Sequence, residues 1–274
     1  MEFPYILALM ITGAFAGFVG SMLGLGGAFI MTPVQVIIYE KMGISPDLAL
    51  LMAFGTSLFA VLPTAVSATW RHHQNKAVLW RAVVIMGVTS SIAGFGGATL
   101  AAHIPQEALS IAFAVVLLLA GIRMVFSRQP EFKIEAETRP WLWIVWAVPI
   151  GLISGTFGVG GGIVTVPILV LALKFEVHYA VGTSMAIIML TSIGGIIGYI
   201  VNGLGVAGRP DFSMGYINLV SWLLLVVPAA AMAQMGAAAA HKIPRRPLMI
   251  IFFCLLVFLS LRMIGVFEWI GWSI

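Results

Sequence analysis

The run Val220–Ala240 holds twenty-one residues without a charged side chain, and Ala108–Gly121 is a second run of the same kind. About 20 apolar residues are what a helix needs to cross roughly 30 Å of hydrocarbon. In lipid every backbone N–H and C=O must be bonded within the protein, which leaves helices and closed barrels. The apolar runs are continuous rather than alternating, so a barrel is excluded. Only 9% of the 274 residues are charged, against about 25% in a soluble domain. The expected fold class is an all-α polytopic membrane protein. Its net charge of +4 is read as loop charge that orients the chain in the bilayer, not as a nucleic-acid surface. Met1–Tyr5 has no Lys or Arg, so the first apolar segment is expected to be retained rather than cleaved as a signal peptide. Cys254, the single cysteine, can form no internal disulfide and is expected to be a small buried residue.

The apolar blocks come in two sets of five, at 4–23, 28–39, 48–70, 77–102 and 105–126, then 141–157, 162–173, 177–201, 214–240 and 247–272. Between them lies the most polar stretch of the chain, with Arg128, Glu131, Lys133, Glu135, Glu137 and Arg139. This gives an N-terminal repeat over 1–127, a polar linker over 128–140 and a C-terminal repeat over 141–274. The two sets match each other. GFVGSMLGLGGAFIMTP at 17–33 aligns without a gap on GLISGTFGVGGGIVTVP at 151–167, an offset of 134. Ala53-Phe54-Gly55-Thr56-Ser57 matches Ala180-Val181-Gly182-Thr183-Ser184 at an offset of 127, where Thr64 also falls on Thr191 and Asn75 on Asn202.

The charges arbitrate between parallel and inverted copies. If each Gly-rich break sits within one long span, the 14 Lys and Arg residues divide 9 to 5 across the membrane; if each break is a hairpin tip, they divide 11 to 3, with Lys41, Arg209 and Arg262 outside. The excess of positive charge on the cytoplasmic side favours the second arrangement. Residues 4–39 as one helix would also run to about 54 Å, too long for a single crossing. Each repeat is therefore expected to be a Gly-broken helical hairpin followed by three transmembrane helices, 8–10 helical segments in all, with the repeats inverted. Whether the hairpin arms cross fully or re-enter from one face is left open by the charge count.

Inverted repeats bring equivalent breaks together near the bilayer midplane, where secondary transporters hold substrate. Gly24, Gly26 and Gly27, with their copies Gly158, Gly160 and Gly161, free backbone groups that a helix would consume. The segments that restart at Phe29 and Ile163 carry first-turn N–H groups suited to an anion. The alternative role for these glycines is close packing or a hinge, which is how Gly13, Gly17 and Ser21 are read. Thr56, Ser57, Thr183 and Ser184 offer four hydroxyls; they either contact the ligand or bond the preceding turn's carbonyl. All ten carboxylates fall at block ends, in loops or near the termini. A site of N–H and hydroxyl donors without an intramembrane acid suits an anionic or neutral substrate. Arg123 and Arg262 are expected to snorkel at helix ends. His72, His73 and His103 are expected to be loop or interfacial residues, with His72–Lys76 as a basic vestibule. No dinucleotide or phosphate-binding loop, nucleophile elbow or metal-ligand spacing is present in the sequence, so neither a cofactor nor an enzyme activity is expected.

The doubled GLGGAFIMTP and GVGGGIVTVP, each followed by Gly-Thr-Ser, and the polar loop HHQNKAV at 72–78 resemble the TauE/SafE sulfite exporter family. The resemblance runs from about residue 8 to residue 265. It implies a prokaryotic cytoplasmic (inner) membrane permease for sulfite, organosulfonates or related sulfur-containing anions. The second half has no His at Val201-Asn202-Gly203, so any role for His72 or His73 is not duplicated. The leading expectation is a secondary anion transporter working by alternating access. Its substrate would lie in the paired Gly-rich tips and Gly-Thr-Ser hydroxyls, H+ or Na+ is the candidate coupling ion, and a homo-oligomer is allowed. The alternative is a channel-like or accessory membrane subunit without independent transport.

Overall fold

The computed structural model describes residues 2–126, 139–239 and 245–263; the linker expected over 128–140 lies outside them up to residue 138. Ten helices form among the described residues: α1 Phe3–Leu23, α2 Ala28–Lys41, α3 Pro46–Gln74, α4 Trp80–Ala101, α5 Gln106–Phe126, α6 Pro140–Phe157, α7 Gly162–Pro167, α8 Val177–Gly203, α9 Leu219–Ala239 and α10 Arg245–Met263. Six of them, α1, α3, α4, α6, α8 and α9, are long and apolar enough to cross a membrane. Large apolar side chains such as Ile92, Val227 and Ile11 point outward, as lipid contact requires.

Local chemistry sets several ends. Pro46 and Asp47 open α3, and Arg71, His72 and His73 close it, each matching the helix dipole or the free first-turn N–H. α2 has 14 residues, about 21 Å, and cannot cross the bilayer core. α7 is shorter still and runs through Pro167 into a π-helical turn at Ile168–Ala172. A proline lacks the N–H of the regular ladder, and here the bonds slip, with Leu173 N–H donating to Ile168 O at 3.0 Å. The block expected over 214–240 begins instead as a small hairpin. Strands β1 Ser213–Met214 and β2 Ile217–Asn218 pair antiparallel before α9 starts.

The first hairpin helix of each set packs on the fourth helix of the other set. A Cβ on Gly13 or Gly17 would come within 2.3 or 2.2 Å of the carbonyl oxygens of Leu225 or Ala229, so α1 and α9 lie backbone to backbone and run in the same direction. Gly151 and Gly155 lie equally close to Ser90 O and Gly94 O, giving α6 and α4 the same relation. Small residues allow this approach, and the packing role expected for Gly13 and Gly17 is the one seen. In contrast α3 and α8, which carry the Gly-Thr-Ser sequences, run antiparallel: Gly55 faces Tyr199, and Leu58 faces Gly195. α5 and α10 are also antiparallel, with the Ser110 hydroxyl donating to Met263 O at 3.0 Å and Gly121 beside Phe253.

The buried apolar side chains form two clusters. One, including Val83, Trp143, Ile150, Leu169 and Ile187, belongs to α4, α6, α7 with its π turn, and α8. The other is centred on α1, α2, α3, α5 and α9 and takes in Met185, Ile188, Ile196 and Tyr199 of α8. Cys254 is exposed rather than buried: α10 turns it outward, and a thiol is apolar enough to face lipid.

Candidate functional site

The two Gly-rich breaks fold alike. Gly24, Gly26 and Gly27 have φ of 74°, 83° and 87°, and Gly158, Gly160 and Gly161 have φ of 61°, 72° and 81°. These left-handed angles strain any side-chain-bearing residue, so the motif is fixed by backbone shape. In the first break, Gly20 O accepts from the N–H groups of Gly24, Leu25 (2.7 Å) and Gly26 (3.3 Å). In the second, Ser154 O accepts from Gly158 and from Val159 at 3.2 Å. The chain then restarts as α2 and α7 behind Gly27 and Gly161, N-caps with no side-chain bond to the first turn.

The breaks meet. Cβ atoms on Gly26 and on Gly160 would both touch Val61 and Ile188, which are themselves equivalent at the offset of 127. Gly162 lies against the backbone of Leu25, and Gly24 lies beside Ser184. The Ser184 hydroxyl donates to Gly24 O at 2.9 Å and to Val181 O at 2.8 Å. Gly158 presses on the backbone of Phe54. Gly27 and Gly161 turn the other way, each against its own hairpin's first helix, at Ala16 and Ile150. Gly24, Gly26, Gly158, Gly160 and Ser184 are thus gathered at one place between α3 and α8.

The other hydroxyls have different surroundings. Thr56 Oγ1 accepts from Asn218 N–H at 2.9 Å, and Thr183 Oγ1 accepts from Leu79 N–H at 3.0 Å. Asn218 and Leu79 directly precede α9 and α4. Each threonine therefore holds the start of the other set's fourth helix, using an N–H that the helix itself leaves over. Thr64 and Thr191 bond the carbonyl one turn back, on Ala60 (2.8 Å) and Ile187 (2.9 Å).

Ser57 sits in a polar cluster with no counterpart in the second half. Its Oγ accepts from Gln35 Nε2 at 2.5 Å and from Thr32 Oγ1 at 3.0 Å. Tyr39 OH donates to Gln35 Oε1 at 3.2 Å, and all four residues are buried. At the offset of 134, Thr32, Gln35 and Tyr39 fall on Val166, Leu169 and Leu173. Gln35 has no place among the sequence candidates because its amide has no copy in the second half, where Leu169 stands. A lone amide within such a block was the available signal.

His72 is the clearest departure from expectation. It is 1% exposed and lies in the last turn of a helix rather than in a loop, because α3 continues past the expected block end to Gln74. His73 and His103 are exposed as expected. The side chain of Arg123 lies outside the described residues, and Arg262 stands in the last turn of α10.

Every described carboxylate is exposed, and no group of three His, Cys, Asp or Glu side chains among the described residues could hold a metal ion. The tip region is thus built from neutral backbone and hydroxyl groups. Tyr216, in the loop before β2, has its phenol pushed up by burial, with Arg209 acting in the opposite direction. A cavity of about 350 Å³ lies elsewhere, at the start of α3, lined by Asp47, Leu50, His103 and Gln106 among others.

Comparison with known proteins places this architecture. The model of the Sulfite exporter TauE/SafE family matches residues 9–263. A probable membrane transporter protein of Methanocaldococcus jannaschii is 32% identical over 269 residues, covering 96% of this chain and 98% of its own. A probable membrane transporter protein of Haemophilus influenzae is 28% identical over 242 residues, 88% of this chain and 91% of its own. The probable membrane transporter protein YunE of Bacillus subtilis is 25% identical, over 95% of this chain and 98% of its own. No solved structure matches. With nearly its whole length matched and its membrane-spanning helices in place, this chain belongs to the TauE/SafE sulfite exporter family of membrane transporters.

Proposed function

We propose that the protein is a secondary transporter of a sulfur-containing anion, namely sulfite, a sulfonate or a related organosulfur anion, in the cytoplasmic membrane of a prokaryote. The observation that carries this reading is the meeting of the two Gly-rich tips at Val61 and Ile188, in surroundings with no carboxylate. Left-handed glycines followed by uncapped helix starts present N–H groups and the positive dipole end. The Ser57 hydroxyl adds a neutral donor, while the Ser184 hydroxyl fixes the first tip by donating to Gly24 O. Ser57 accepts from Gln35 and Thr32, which favours a polar side of the site on the first repeat. Thr56 and Thr183 serve the frame that holds the tips.

The two halves are inverted-topology repeats in this reading. Support comes from the antiparallel course of α3 against α8 and of α5 against α10, together with the 11-to-3 division of Lys and Arg. Alternating access then consists of one helix bundle, α4 with α6 and α8, rocking against the other, α1 with α3 and α9. The direct backbone contacts of α1 with α9, and of α4 with α6 and α8, favour rigid bodies that move along the α3–α8 seam. A gradient of H+ or Na+ drives the cycle.

The test is uptake of labelled sulfite by purified protein in liposomes under imposed H+ or Na+ gradients. Accumulation that collapses with the gradient supports the reading. Passive equilibration under every gradient would make the protein channel-like. No flux from folded protein, whether with sulfite or with a simple sulfonate, would make it an accessory subunit.

A further inference from the structure

The last turn of α1 leaves carbonyl groups that the helix cannot satisfy. Gly20 O takes up N–H groups of the tip, and the next carbonyl, Ser21 O, meets His72 Nε2 at 3.5 Å. The second half repeats this arrangement with a different side chain. Ser154 O takes up the tip N–H groups, and the next carbonyl, Gly155 O, accepts from Tyr199 OH at 2.8 Å; Thr156 O accepts from the same hydroxyl at 3.0 Å. At the offsets of 134 and 127, Ser21 corresponds to Gly155 and His72 to Tyr199. One position therefore meets the matching carbonyl in both halves, joining the base of a hairpin tip to the third helix of its repeat, closely through Tyr199 and loosely through His72. In the second half the tie is a phenol that stays protonated at every physiological pH. In the first half it is an imidazole, whose unperturbed charge change falls between about pH 5 and 8.

Two further groups mark the first position as polar. The hydroxyls of Ser21 and of Thr69, one turn before His72 on α3, are buried and have no hydrogen-bond partner among the described residues. The second half carries Gly155 and Ile196 there.

We propose that His72 is a proton-binding site that sets the hold on the first Gly-rich tip. Protonation places a cation against the C-terminal carbonyls of α1, where the helix dipole is negative and a charged donor bonds more strongly. The tip at Gly24–Gly27 is then held, and proton release loosens it. The second tip, tied by Tyr199, does not respond. The proposal deepens the transporter reading and rests on it for what the proton drives; binding itself needs no substrate.

α1 carries no charged residue after Glu2 and no titratable one after Tyr5, and α9 carries none. On α3, Arg71 turns to Gln74 and His73 accepts from Trp80 Nε1, both at the exposed surface. Lys76 follows α3, and from the start of α8 come His178 and Tyr179, a few residues before Gly182, which packs on Ala77. Tyr39 of α2 meets Thr56, Glu40 and Lys41 end that helix, and Glu107 opens α5.

The experiment is amide hydrogen exchange and histidine-ring NMR on the full-length protein from pH 5 to 8, with no substrate added. The ring signal of His72 is assigned by its loss in His72→Tyr, which copies Tyr199, and in His72→Gln. The expected result is a His72 titration within that range, with exchange of Gly24, Leu25 and Gly26 slowed about five-fold on the acid side after correction for intrinsic rates. Exchange at Gly158 and Val159 stays flat. Both variants flatten the first tip's response, and His72→Tyr keeps the tip folded. A His72 held in one protonation state throughout would overturn the proposal, as would an unchanged first-tip response in either variant. Absence of sulfite uptake by the same sample would count against the transporter reading alone.

Discussion

The hydroxyl of Ser184 donates to the carbonyl oxygen of Gly24 at 2.9 Å, so the tip of the first hairpin is pinned by the Gly-Thr-Ser helix of the opposite half. Ser57, the matching residue, is turned instead toward Gln35 and Thr32, and the second tip rests on the backbone of Phe54. The tips have the same backbone and different anchors.

Replacing Ser184 by Ala removes that bond and leaves a buried carbonyl short of a donor. The expected loss is about 1–3 kcal/mol of stability, read as a lower melting temperature in detergent, with faster exchange at Gly24–Gly26. Ser57→Ala, by contrast, leaves exchange at Gly158 unchanged.

Gly158→Ala is expected to be far more damaging than Gly43→Ala. Both glycines have positive φ, which costs an L-residue about 1–2 kcal/mol. At Gly43 a Cβ meets nothing within 4 Å, whereas at Gly158 it would lie 2.4 Å from Phe54 O. Overpacking adds about 1–3 kcal/mol more. Yield of monodisperse protein and its melting temperature decide the comparison; equal behaviour would show that α3 yields to the tip.

Thr56→Val should cost about 1–3 kcal/mol, because it strands a buried N–H at the start of α9. Thr183→Val should cost less, because the Leu79 N–H that it releases is only part-buried and can turn to water. Binding of sulfite to the surviving folded fraction, followed by calorimetry, is expected to hold at the wild-type level. A selective loss of binding would return these threonines to the substrate.

The membrane orientation has its own check. In a Cys254→Ser background, cysteines introduced at Gln74 and at Arg245 should both react with an impermeant thiol reagent from the cytoplasmic side. Reaction from opposite sides would contradict the inverted arrangement.

Hydropathy and duplication made the helices and both glycine breaks legible, because each depends on neighbours within a few residues. The fate of Thr56 was not legible. Its partner, Asn218, is 162 residues away, and a hydroxyl that meets a ligand reads the same as one that meets a remote N–H. His72 was misplaced for a related reason. The apolar block ends at Trp70, yet α3 keeps one face buried through Ala68, Thr69 and His72 while Arg71 and His73 face out. The likeness of His72 to Tyr199 was hidden because an imidazole and a phenol share no sequence signal, only a hydrogen-bonding task.

The pairing of α1 with α9 and of α6 with α4 bears on how the protein is made. A ribosome completes α1 and its glycine face long before the matching face of α9 leaves the exit tunnel, so the first hairpin must wait in the bilayer for a partner encoded near the end of the message. Such long-range assembly is slow and exposes unfinished surfaces. A fragment ending in the linker is therefore expected to be a substrate for membrane proteases rather than a stable half. Co-expressing the two halves as separate chains should rescue both, because each supplies the helix against which the other closes.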